Sequence, residues 1–101
     1  MTLRLSILTL VLLACSGAGA RIERSQAEVR AFRAQEACPA TGRTRGACPG
    51  WQVDHSVPLC AGGPDHRSNM AWLTVEDHRF KTLVDLRECR KLRAMAARPA
   101  R

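Results

Sequence analysis

The sequence predicts a small α+β domain, and three observations carry that expectation. Trp51 to Leu59 alternates apolar and polar residues as a strand does, and a Gly-Gly turn and a second short apolar run follow it. Two segments open with helix N-terminal caps, at Ser25 and at Thr74. Four cysteines, Cys38, Cys48, Cys60 and Cys89, supply staples for a chain of only 101 residues, which is short for burying a large core.

At that length the chain holds at most one domain. Residues 1–20 read as a secretory signal: Arg4 brings a positive charge, Leu5 to Ala14 is almost wholly apolar, and Ala18-Gly19-Ala20 is a small-residue cleavage site. The apolar stretch is too short to span a bilayer. Leu12-Leu13-Ala14-Cys15 reads alternatively as a lipoprotein processing site that would leave Cys15 lipidated. On either reading the chain is exported, to the periplasm or the medium, and the folded domain is residues 21–101. In an exported chain the four remaining cysteines read as two disulfides. Three pairings are possible; Cys38–Cys48 with Cys60–Cys89 is favoured because each closes a loop of moderate length. A structural zinc site fits less well, because no CxxC occurs.

Residues 1–20 contain one of the 16 basic side chains, Arg4, and none of the 9 acidic ones, so 15 basic and 9 acidic groups remain, net +6. All of those 15 but Lys81 and Lys91 are arginine. The guanidinium fork matches phosphate oxygens bidentately, so nucleic acid is the natural partner for this charge; a merely solvated basic surface has the same composition.

In chain order, Ser25-Gln26-Ala27-Glu28 is a capping box. It predicts a helix from Gln26 to Ala37 with Ala27, Val29, Phe32 and Ala34 on its apolar side, stopped by Cys38-Pro39. Cys38 to Gly50, with two Cys-Pro steps and three glycines, is a loop in which Arg43 and Arg45 stand ready for solvent or phosphate. Trp51 to Leu59 is a strand with Trp51, Val53, His55 and Val57 on one face and Gln52, Asp54 and Ser56 on the other; Pro58 excludes a central strand at its end. Ala61-Gly62-Gly63-Pro64-Asp65 is turn punctuation, and Met70 to Leu73 is the return strand. Trp51 and Trp72 read as core. Thr74-Val75-Glu76-Asp77 caps a second helix, with two acids where the helix dipole favours them. From Phe80 the apolar residues Leu83, Leu86, Cys89, Leu92 and Met95 recur every three positions, which drifts around a helix of 3.6 residues per turn. Either the helix breaks near Arg87–Arg90 or a disulfide at Cys89 re-aims it. Residues 96–101 form a frayed tail.

The chemistry concentrates between Trp51 and Lys81. Asp54 offers a hard oxygen and His78, in the first turn of the second helix, an imidazole nitrogen; the pair suits Mg2+, Mn2+, Ni2+ or Zn2+. Two protein ligands leave room for water and substrate. His55, beside Asp54, titrates near neutral pH and is a candidate general base. Neighbours on a regular strand face opposite ways, so this reading requires the strand to bend or end at Asp54–His55.

Asp54-His55, Pro58, Gly62-Gly63, Asn69 and His78, with fourteen positions from His55 to Asn69 and nine from Asn69 to His78, resemble the HNH endonucleases of the ββα-metal, or His-Me finger, fold. The resemblance covers Cys38 to about Lys81. It implies that His55 activates water for attack on a phosphodiester, that Asp54 and His78 hold one divalent ion, and that Asn69 braces the hairpin loop and orients the base. Family members with a further ligand one turn after the last His have no counterpart here, since position 82 is Thr. Arg67, Arg79 and Lys81 are candidates for holding phosphates. The expected function is cleavage of DNA, and perhaps RNA, with little sequence preference, because a site that reads the backbone has few groups left for bases. A different class, a non-catalytic basic nucleic-acid-binding module stapled by disulfides, predicts salt-sensitive binding that survives loss of His55.

Overall fold

Ser25 opens the first helix as its side chain predicts, its hydroxyl accepting the amide of Glu28 at 3.3 Å. The reciprocal half of the box is replaced by a tertiary pair. The Glu28 carboxylate takes the Arg67 amide at 3.0 Å and its guanidinium at 3.1 and 3.3 Å. The structure, a computed structural model, describes residues 24–99; the signal segment, the Cys15 alternative and the final two residues lie outside that range.

The described chain runs α1 (Gln26–Gln35), β1 (Trp51–His55), β2 (Met70–Thr74) and α2 (Val75–Ala96), with 3-10 turns at Leu59–Ala61 and Arg67–Asn69. It is thus a small α+β unit with a two-stranded sheet, two helices and two disulfides, Cys38–Cys48 and Cys60–Cys89. Helix α1 stops two residues earlier than expected. Glu36 is already extended, at φ −121° and ψ 94°, and its amide closes on the Phe32 carbonyl. Ala27 and Ala34, expected on the apolar side, are exposed; Phe32 is the buried residue of this helix. Its ring lies 5.9 Å from that of Trp72, and the Arg33 guanidinium sits 5.2 Å over the same indole. Trp51 and Trp72 are half-buried.

The strands pair antiparallel from Trp51↔Thr74 to His55↔Met70. Strand β1 ends at His55, four residues before its expected limit at Leu59. Beyond Ser56, whose amide still reaches the Asn69 carbonyl at 2.8 Å, the backbone of Val57 bonds the Asn69 side chain instead of a strand. Pro58 has no amide with which to continue a ladder.

Thr74 caps α2 through the amide of Asp77 at 3.1 Å. The helix then runs unbroken for 22 residues, so of the two alternatives the break near Arg87–Arg90 is the one that does not occur, and Cys89 does carry a disulfide. Cys89 is buried and tied to Cys60, while Phe80, Leu83, Val84, Leu86, Leu92 and Met95 are exposed. The three-residue spacing rotates them off the packed side. Among the described residues no helix is long and apolar enough to cross a membrane. The apolar residues that are truly buried are few, Phe32, Cys38, Met70 and Cys89, and they share the interior with Asp54, His55 and Asn69. Buried polar groups demand partners, and following those partners leads to the candidate site.

Candidate functional site

Strand β1 finishes by burying two consecutive side chains, Asp54 at 6% exposure and His55 at 4%. Their partners lie in different elements. Asp54 meets α2, with Lys81 Nζ 3.0 Å from Oδ2 and His78 Nε2 3.8 Å from Oδ1. His55 meets the hairpin loop, its Nε2 standing 2.9 Å from Asp65 Oδ1. Both side chains nevertheless line one cleft of about 200 Å3, walled by the Pro58–Cys60 turn and by His78, Thr82 and Asp85 of α2.

The loop that carries Asp65 is shaped by Asn69. This side chain, 8% exposed, accepts the Val57 amide through Oδ1 and donates through Nδ2 to the carbonyls of Val57 and Pro64, each at 2.9 Å. Three bonds from one amide draw both ends of the loop together. The Gly-Gly pair fits the same fold-back: Gly62 closes the 3-10 turn at φ +84°, and a Cβ on Gly63 would collide with the Val57 carbonyl.

Asp65 is held at both oxygens. Oδ1 faces His55, and Oδ2 accepts the Ser25 amide at 2.6 Å. The His55 hydrogen bond first, and the Ser25 amide second, hold its carboxyl below the usual aspartate range. An ionised Asp65 can only accept, so in neutral His55 the proton sits on Nε2 and the lone pair on Nδ1. That Nδ1 is buried and has no hydrogen-bond partner among the described residues.

On the other wall, Lys81 spends all three donors: on Asp54 Oδ2 at 3.0 Å, Asp85 Oδ2 at 2.6 Å and the His55 carbonyl at 2.8 Å. Burial pushes its ammonium down, but the bonds to Asp85 and Asp54 outweigh that and hold it above the usual lysine range. Asp54 Oδ1 and His78 Nε2 share no hydrogen bond at 3.8 Å. Two metal–ligand bonds of about 2.1 Å each span at most about 4.2 Å, so a divalent ion fits between this oxygen and this nitrogen. Among the described residues no group of three or more His, Cys, Asp or Glu is arranged to hold a metal.

Of the residues expected at the site, Asp54, His55 and His78 meet at the cleft, and Asn69 stands behind it as the loop brace. Arg67 lies outside, its guanidinium taken by Glu28, and its charge is held above the usual arginine range by that pair. Arg79 is exposed on α2. Lys81 faces the carboxylates rather than open solvent. Thr82 lines the cleft, its hydroxyl donating to the His78 carbonyl at 2.8 Å. Asp65 and Asp85 are additions that sequence reasoning missed. Asp65 looked like a turn former, and ten positions separate it from His55. Asp85 had a visible local signal, since it stands one turn after Lys81.

Fold and site together define a small disulfide-stapled α+β protein with a buried aspartate–histidine centre. Comparison with family models, with curated proteins and with solved structures finds no match.

Proposed function

We propose that this protein is an exported, metal-dependent endonuclease of the HNH type, a ββα-metal domain that hydrolyses phosphodiester bonds in DNA with little sequence preference, RNA being the substrate to compare with it. The observation that carries the reading is His55: fixed at Nε2 by a carboxylate, buried and without a partner at Nδ1, in a residue that lines the same cleft as Asp54 and His78. A buried imidazole nitrogen without a partner costs about 1–3 kcal/mol. A catalytic base has reason to carry that cost, because its free lone pair is what takes a proton from attacking water.

In this reading His55 Nδ1 receives the water proton, and the Asp65 carboxylate steadies the imidazolium that results. Asn69 holds the loop so that Asp65 keeps its distance. Asp54 and His78 would hold one divalent ion, which when bound supplies positive charge to a phosphate oxygen and to the leaving oxygen. Arg79, exposed beside His78 in sequence, is a phosphate contact. Two disulfides suit an oxidising compartment, where a nuclease of low specificity does not threaten the genome of the cell that makes it.

Cleavage of supercoiled plasmid with Mg2+, Mn2+, Ni2+ or Zn2+ tests this directly. The wild type should nick it with at least one ion, and His55→Ala should lower the rate by about 100-fold or more. Equal rates, or no cleavage with any ion while salt-sensitive DNA binding persists, would replace the enzyme with a nucleic-acid-binding module.

A further inference from the structure

Lys81, a candidate for holding phosphate, is instead bonded to the carboxylates of the site. A carboxylate as buried as Asp54 requires a positive partner, since an unpaired buried charge is strongly destabilising. The ammonium of Lys81 provides one at 3.0 Å, on the oxygen that does not face His78. It also has a second carboxylate, Asp85, at 2.6 Å. Asp85 stands one helical turn further along α2, on the rim of the same cleft, and the Lys81 side chain is a quarter exposed, 24%. The ammonium therefore lies between two acids, one deep and one at the rim.

We infer that Lys81 is a resident cation that competes with the divalent ion for Asp54, and that Asp85 is the seat to which its ammonium withdraws when the ion arrives. The inference rests on Asp54 and His78 being the ligands. A double charge at Asp54 Oδ1 repels an ammonium bonded to the other oxygen of the same carboxylate. Lys81 loses that bond and keeps Asp85. The pair thus makes metal binding conditional: without the ion Lys81 neutralises Asp54, and with it Asp85 neutralises Lys81. By linkage, whatever stabilises the ammonium on Asp54 weakens the ion, and removing it strengthens the ion by the same factor.

The test measures Mn2+ affinity by calorimetry, and by the electron paramagnetic resonance of the free ion, for wild type, Lys81→Met, Asp85→Asn and the double variant. Lys81→Met should bind Mn2+ about tenfold more tightly, while its melting temperature in chelator falls. Asp85→Asn should bind more weakly than wild type, and this loss should disappear in the Lys81→Met background, where no ammonium needs a seat. If Asp85 acted only as a nearby negative charge, its loss would weaken Mn2+ equally in both backgrounds, which overturns its assigned role. Mn2+ affinity in Lys81→Met equal to or below that of wild type overturns the competition while leaving the nuclease reading to the His55→Ala assay. Absence of Mn2+ binding in every variant removes the ligand assignment and the inference together. Should Lys81→Met be unfolded in chelator, Mn2+ restores its fold under this inference, and failure to restore it overturns the inference.

Discussion

The loops 38–50 and 56–69 are both rich in glycine and proline and each carries disulfide cysteine, yet different forces shape them. The first is closed by Cys38–Cys48. Every residue from 39 to 47 is exposed, and glycines 42, 46 and 50 turn the chain at φ +70°, +84° and +80°. The second is folded around the Asn69 amide, buries that amide, and delivers Asp65 to within 2.9 Å of His55. A covalent link restricts the unfolded chain and asks little of the residues between its ends. A buried hydrogen-bond network is costly unless each member is satisfied, so it specifies positions, and that is the requirement of a reacting group.

Three measurements bear on the difference. Asn69→Ala removes three bonds and strands the Val57 amide and two carbonyls; we expect a loss of about 2–4 kcal/mol in urea unfolding, with plasmid cleavage falling even among folded molecules as Asp65 drifts from His55. Retained cleavage per folded molecule would mean that the loop is a scaffold only. Replacing Cys38 and Cys48 by serine together opens a loop of sequence separation 10 and should cost about 3 kcal/mol. Cleavage per folded molecule should stay at the wild-type level; a parallel drop would place the first loop in the site after all.

The smallest effect is that of acid. The His55 bond lowers the Asp65 carboxyl, and the Arg67 bonds lower that of Glu28, from ordinary values of 3.8 and 4.5. Groups depressed in the folded state stabilise it fully above those ordinary values, and the contribution is lost as pH falls through the lower folded ones. Both carboxylates clamp α1 to the second loop, through Ser25 and Arg67. Tryptophan fluorescence, reporting on Trp72 beneath Phe32 and Arg33, should therefore change below about pH 4. The double variant Asp65→Asn with Glu28→Gln should flatten that transition, and an unchanged acid profile would assign it to other groups.

Much of this architecture is legible in short stretches of sequence. Ser25 and Thr74 mark helix starts because a cap needs only residues three apart. The cysteine count marks two disulfides, with the observed pairing the favoured one of three the sequence allows, and the alternation around Val53 marks a strand. The ends of elements are less legible. Strand β1 stops at His55 because Asn69 captures Val57, and α1 stops at Gln35 because Glu36 is extended ahead of Cys38-Pro39. Helix α2 continues through Arg87–Arg90, since nothing requires an exposed apolar line to keep one face. The site divides the same way. Asp54, His55, Asn69 and His78 stand out by type and spacing. The link from Glu28 to Arg67 crosses 39 positions and that from Ser25 to Asp65 crosses 40, and no local pattern encodes either.

Side-chain type and contacts within a few positions are enough to mark a small α+β domain, a set of four cysteines for two disulfides, and side chains suited to acid–base and metal chemistry. Which groups they answer to depends on packing between segments far apart in the chain. His55 answers to Asp65, and Asp54 to Lys81 as well as His78. A buried charge takes whatever partner the packed chain brings to it, and that choice is made only when strand, loop and helix close around the cleft.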